Sequence, residues 1–107
     1  MNKEIMKGAI DILILSILKN QDNYGYEIAR VIKDDSHNTY IISEGTLYTA
    51  LKRLESNNLI ESYWNESLSA PKRKYYTITE NGCKVLNEKW IEWDQIVRLM
   101  NIYRRDI

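Results

Sequence analysis

The chain has 107 residues, with 15 basic and 15 acidic side chains that cancel to a formal net charge of zero, so it lacks the bulk positive charge of many nucleic-acid binders and any hold on a polyanion must come from local patches. Its 44% apolar and 28% charged residues fit one globular domain around one core. Cys83 has no second cysteine and His37 is the sole histidine, which argues against a disulfide, a metal site or a metal cofactor within one chain.

The N-terminal segment from about Glu4 to Lys19 is apolar nearly all round a helix, which a single small domain rarely covers, so a second subunit is expected against it. Its densest part, Ile10 to Leu18, is interrupted by Asp11 and Ser16 and is too short to span a bilayer. No signal-peptide pattern precedes it, so a cytoplasmic location is expected. A polar turn at Asn20 to Asn23 leads to a second helix, 24–33, with Tyr24, Ile28, Val31 and Ile32 at helical spacing. A third helix, 43–57, opens on Ser43 as N-cap, carries Leu47, Ala50, Leu51 and Leu54 on one face, and closes at Asn57-Asn58, where asparagine tolerates a left-handed backbone.

Two β-like runs follow, Leu59 to Trp64 and Lys74 to Ile78, joined by the polar stretch Asn65 to Lys72 that holds the only proline, Pro71. They predict a hairpin spanning 59–78 with a long tip, and Trp64 is expected to pack. From Thr79 a last helix runs to about Arg104 within the terminal region 79–107. The fold class is mainly α with a small β-hairpin.

Three segments, in order and at matching spacing, resemble the PadR family of bacterial transcription regulators. They are Asn23-Tyr24-Gly25-Tyr26-Glu27-Ile28, then Glu44-Gly45-Thr46-Leu47-Tyr48 with Leu51-Lys52-Arg53-Leu54-Glu55, then Pro71-Lys72-Arg73-Lys74-Tyr75-Tyr76 with Thr77-Ile78-Thr79-Glu80-Asn81-Gly82. The similarity covers nearly the whole chain and is closest to the short subfamily. It implies a winged helix-turn-helix over 1–78, a dimerisation helix over 79–107, and a repressor that binds a pseudo-palindromic duplex as a homodimer. Asn58 and Ala70 stand where the family often has glycine.

On that reading the third helix is the recognition helix. Its polar side presents Thr46, Tyr48, Thr49, Lys52, Arg53 and Ser56; the N-terminal threonines are placed to read bases, with Tyr48 a reader or a phosphate contact and Lys52 and Arg53 on the backbone. The same cations would also serve simply to keep a helix face soluble. Lys72, Arg73 and Lys74 put three charges in a row on the wing, suited to phosphates or the minor groove, although such a run also occurs in solvated loops. Tyr75 and Tyr76 must point to opposite faces, one of them into the core.

Along the last helix Leu86, Trp90, Trp93, Val97 and Met100 step by four and three, continued by Arg104 and Ile107, a seam for a second helix. A two-fold axis near Trp90 and Trp93 would face their rings across the interface. The resemblance implies that a planar aromatic effector can sit there, stacked on Trp93, with Ile5, Gly8, Asp11 and Ile12 as the opposite wall. Alternatively both tryptophans only pack the dimer and Asp11 bonds a neighbour. An enzyme is not expected, since no nucleophile and base, carboxylate pair or metal set occurs together. A winged helix that binds protein instead of DNA is the alternative kept open by the neutral charge; RNA fits less well, because the aromatics do not lie across an open sheet.

Overall fold

Apolar side chains at helical spacing on three successive segments meet in one core, which a computed structural model describes over residues 2–67 and 70–104. The helices are α1 (Lys3–Lys7), α2 (Ile10–Asn20), α3 (Gly25–Asp35), α4 (Glu44–Ser56) and α5 (Glu80–Arg104); the strands are β1 (Asn23–Tyr24), β2 (Ile60–Ser67) and β3 (Ala70–Ile78). Ile14, Leu15 and Leu18 of α2, Ile28 of α3, and Leu47, Leu51 and Leu54 of α4 interlock with Ile60 of β2, all essentially sealed from solvent. Each such side chain contributes about 1.5 to 3 kcal/mol by leaving water.

The first helix is not continuous, as the apolar run predicts, but breaks at Gly8 and Ala9. Gly8 caps α1, and the Ala9 N–H donates to the Met6 carbonyl in a tightened turn, at the residue with the weakest helix preference of the segment. Tyr24 belongs to a two-residue strand rather than to the second helix; β1 pairs antiparallel with β3, Asn23 opposite Tyr76 and Tyr24 opposite Tyr75, giving a sheet of order β1-β3-β2. A strand that short leaves no periodicity to read.

Helix α4 begins and ends where its sequence directs. Ser43 is extended and its side chain accepts the Thr46 N–H at 3.2 Å. At the other end Asn58 takes a φ of 62°, and the Leu59 N–H reaches back to the Leu54 carbonyl at 3.0 Å, which satisfies groups the helix end would leave bare.

The hairpin strands are longer than expected. Pairing continues past Trp64 and Lys74 to Ser67 opposite Ala70, with a register shift between Asn65 and Ser67. Pro71 falls beside that irregularity, where a missing N–H costs no regular ladder bond. The tip at 68–69 and the seam position Ile107 lie outside the described residues. Trp64, expected to pack, is 61% exposed; its pairing with Lys74 lies beyond the edge of the core, which ends under Tyr76.

Helix α5 starts on Thr79, whose hydroxyl accepts the Gly82 N–H at 2.9 Å and donates to the Asn58 carbonyl at 2.8 Å. A side chain at Gly82 would place its Cβ 2.1 Å from the Leu59 carbonyl oxygen, so the helix can lie this close to the end of the α4 turn only with glycine there. Leu86 is the last fully buried residue of the helix and Trp93 still packs on the core, and the molecule stretches to 59 Å along its longest axis.

Candidate nucleic-acid interface

With four of its residues turned into the core, α4 shows solvent a continuous arc. At 100° per residue the arc runs from Tyr48 through Lys52, Gly45 and Thr49 to Arg53 and Thr46, all exposed. One edge borders α3, where Tyr48 shares a groove with Tyr26, Ala29 and Arg30. The other borders α1, where Thr46, Thr49 and Arg53 share an open groove of about 650 Å³ with Lys3 and Lys7. The five predicted α4 residues are therefore brought together on one surface.

Tyr48 does not simply hang from α4. Its hydroxyl lies where a Cβ at position 25 would fall, 2.8 Å away; a side chain at Gly25 would push the ring off its seat over the start of α3. Arg53 is also held: its Nη2 donates to the Asp11 carboxylate in an ion pair between α4 and α2. Thr46 and Lys52 stand exposed beside them.

The wing carries its cations on both faces, because neighbours in a strand alternate. Lys72, Arg73 and Lys74 are all exposed. Lys72 pairs with Glu66 across the hairpin at 3.1 Å, an exposed pair worth little in water. Arg73 folds back on β1, donating to the Tyr24 hydroxyl at 2.8 Å with its guanidinium 4.6 Å from the ring centre. Lys74 lies 5.7 Å over the ring of Tyr76. Tyr76 is the inward member of the pair at 4% exposure, and burial pushes its phenol above the ordinary tyrosine value. Tyr75 is the outward one, 5.3 Å from Tyr24 and 5.9 Å from Tyr63 between ring centres. Tyr63 donates to Asp22 at 2.7 Å, a bond to the neutral phenol that raises its pKa. The result is a layer of tyrosine rings on the outer face of the wing.

The residues assigned to the dimer seam and effector wall separate. Leu86 is only 3% exposed and sits in the chain's own core, so it is not free to meet a second helix. Trp93 and Val97 are half-buried, Trp93 packing on that core, while Met100 is exposed. Trp90 is 41% exposed and donates its indole N–H to Ser16 of α2 at 3.2 Å. On the proposed opposite wall Ile5 and Gly8 are exposed, but Ile12 is a core residue at 7%. Asp11, placed on that wall or else bonded to a neighbour, is paired with Arg53.

Sequence reading missed Tyr24 as the support of Arg73, the pairing of Asp11 with Arg53, and the approach of Lys3 and Lys7 to the α4 groove. The first two join residues 49 and 42 positions apart, and local spacing carries no signal for them. Among the described residues no group of His, Cys, Asp and Glu is arranged to hold a metal ion, and no helix is long and apolar enough to cross a membrane.

Comparison with known proteins places this architecture. A transcriptional regulator from Clostridium thermocellum superposes with a TM-score of 0.88 at 38% identity, over 95% of this chain and 99% of that one. A PadR family transcription regulator from Clostridium difficile R20291 is 46% identical with a TM-score of 0.77, over 88% of this chain and 96% of the other. Bacillus subtilis PadR, solved in complex with operator DNA, shares the fold at 23% identity and a TM-score of 0.67, over 78% of this chain and 46% of that one. The family model described as the transcriptional regulator PadR-like family matches residues 14–88. The chain is thus a regulator rather than an enzyme, and it belongs to the PadR-like family.

Proposed function

We propose that the protein is a repressor that binds a pseudo-palindromic DNA operator as a homodimer. The observation that carries this reading is the continuity of the exposed α4 arc, with Thr46, Tyr48, Thr49, Lys52 and Arg53, and a wing whose Lys72, Arg73 and Lys74 all face solvent. In a helix-turn-helix the N-terminal end of the second helix reaches base edges while flanking cations hold phosphates. Thr46 and Thr49 read bases, Tyr48 reads or holds the backbone, and the cations supply affinity through counterion release. The operator complex of Bacillus subtilis PadR supports this at the level of fold.

Two copies join through α5, on which Ile96, Leu99, Met100 and Tyr103 are more than half exposed and Trp90 is 41% exposed. A planar aromatic effector lies between the subunits against Trp93 and Trp90, within reach of Val97, Ile5 and Gly8, and releases the operator by shifting the spacing of the two recognition helices.

The test is enrichment from a random duplex pool, followed by fluorescence anisotropy on the winning sequence and a scrambled control at two salt concentrations. A two-fold symmetric sequence with half-sites one helical turn apart, bound with steep salt dependence, is the expected result. Weak, equal binding to every duplex would reject it and favour a winged helix that serves a protein partner.

A further inference from the structure

Among the described residues there are four ion pairs; two lie within α3, one spans the hairpin, and only Asp11–Arg53 joins two helices. It links the first turn of α2 to the outer edge of α4, at a groove that also receives Lys3, Glu4 and Lys7. An acid in the first turn of a helix has a use of its own, because it complements the helix dipole. That use needs no arginine from another helix. Arginine is long and rotamer-rich, and on the rim of a helix facing a polyanion it would bind any phosphate it met. Asp11 occupies one arm of the guanidinium, while a planar fork with five donors keeps others available in a fixed direction.

We propose that Asp11 is a specificity-determining positioning residue for DNA binding, acting through Arg53. It aims the guanidinium at the one phosphate that a correctly docked duplex presents, and its own negative charge opposes phosphates that arrive in other registers. A bound operator is met by an arm already ordered; a random duplex meets a cation that is partly neutralised and must give up its carboxylate to reach it. The carboxylate therefore lowers affinity for wrong DNA more than for right DNA, in a molecule with no net charge to spare. This inference rests on the reading of the protein as an operator-binding regulator.

The test compares the full-length wild type with Asp11→Asn, Asp11→Glu, Arg53→Ala and the Asp11→Asn, Arg53→Ala double variant. Each is titrated on the duplex that the wild type enriches from a random pool and on a scrambled duplex of the same composition, across a range of salt. Asp11→Asn is expected to bind the scrambled duplex about fivefold more tightly, with the slope of log affinity against log salt steeper by about 0.9 as the freed Arg53 takes one more phosphate. Its affinity for the enriched duplex stays within about twofold, so discrimination falls. Asp11→Glu restores the preference, and with Arg53 absent the effect of Asp11→Asn on preference disappears. Should Asp11→Asn fail to fold, Arg53→Ala still decides: it must weaken the enriched duplex more than the scrambled one.

Equal changes on both duplexes, an unchanged salt slope, or the same loss of preference without Arg53 would overturn the proposal and leave Asp11 a helix-end acid. If the wild type enriches no sequence, the operator-binding reading falls and takes this inference with it.

Discussion

Helices α4 and α5 differ in how far the chain completes them. Helix α4 has 13 residues, a serine cap at one end, a left-handed asparagine beyond the other, and Leu47, Ala50, Leu51 and Leu54 sealed in the core. Helix α5 has 25 residues, of which only Gly82 and Leu86 are buried. The first is finished by its own domain and offers its remaining surface as a working face. The second is begun by the domain and carries Ile96, Leu99, Met100, Ile102 and Tyr103 exposed along its far half, large apolar side chains set among charged ones.

Mutations can break that contrast. Leu51→Ala should cost about 3 kcal/mol, read from the denaturant midpoint, because a cavity opens in the sealed core and its surroundings relax only in part. Met100→Ala, also an apolar truncation, should leave unfolding of the isolated chain unchanged and weaken self-association, read by sedimentation at falling concentration. If both variants lose stability equally at every concentration, α5 is completed within the chain and the contrast fails.

On the working face, Arg73→Ala with Lys74→Ala should weaken DNA binding tenfold or more and reduce the salt slope by about 1.8, as two phosphate contacts are lost. Unchanged affinity would remove the wing from the interface. Trp93→Ala should reduce binding of planar aromatic dyes by about tenfold, seen as lost tryptophan quenching; one stacked ring contributes about 0.5 to 1.5 kcal/mol beyond its burial. The smallest effect expected is that of Ser43→Ala, about 1 kcal/mol from the uncapped Thr46 N–H, which sharpens the comparison by showing how much of α4 is secured locally.

Features whose causes are local were legible in the sequence. The cap at Ser43, the turn at Asn58 and the stripe from Leu47 to Leu54 each depend on a few adjacent residues, and α4 lies where they put it. The exposed side of that helix followed directly, and with it the candidate DNA-facing residues. What escaped depended on distance along the chain. Strand β1 exists only because β3 lies alongside it, the wing strands extend because each supplies the other's partners, and Arg73 and Arg53 are held by Tyr24 and Asp11 from other elements. Leu86 shows the same limit from the other side: its step of four to Trp90 suits a seam, yet the chain's own core reaches it first.

The junction before α5 has a mechanical consequence. Thr79 grips both Asn58 and Gly82, the Thr79 N–H donates to the Leu59 carbonyl at 3.0 Å, and Gly82 is pressed against that same carbonyl. The exit of α4, the base of the wing and the entry to α5 therefore share one joint with little play. A 25-residue helix is a rod of about 37 Å, so a tilt of about 5° at this joint sweeps its free end through about 3 Å. Run in reverse, a small displacement of the far end of α5 would be passed to the exit of α4 and the base of the wing, which meet the helix at the Leu59 carbonyl.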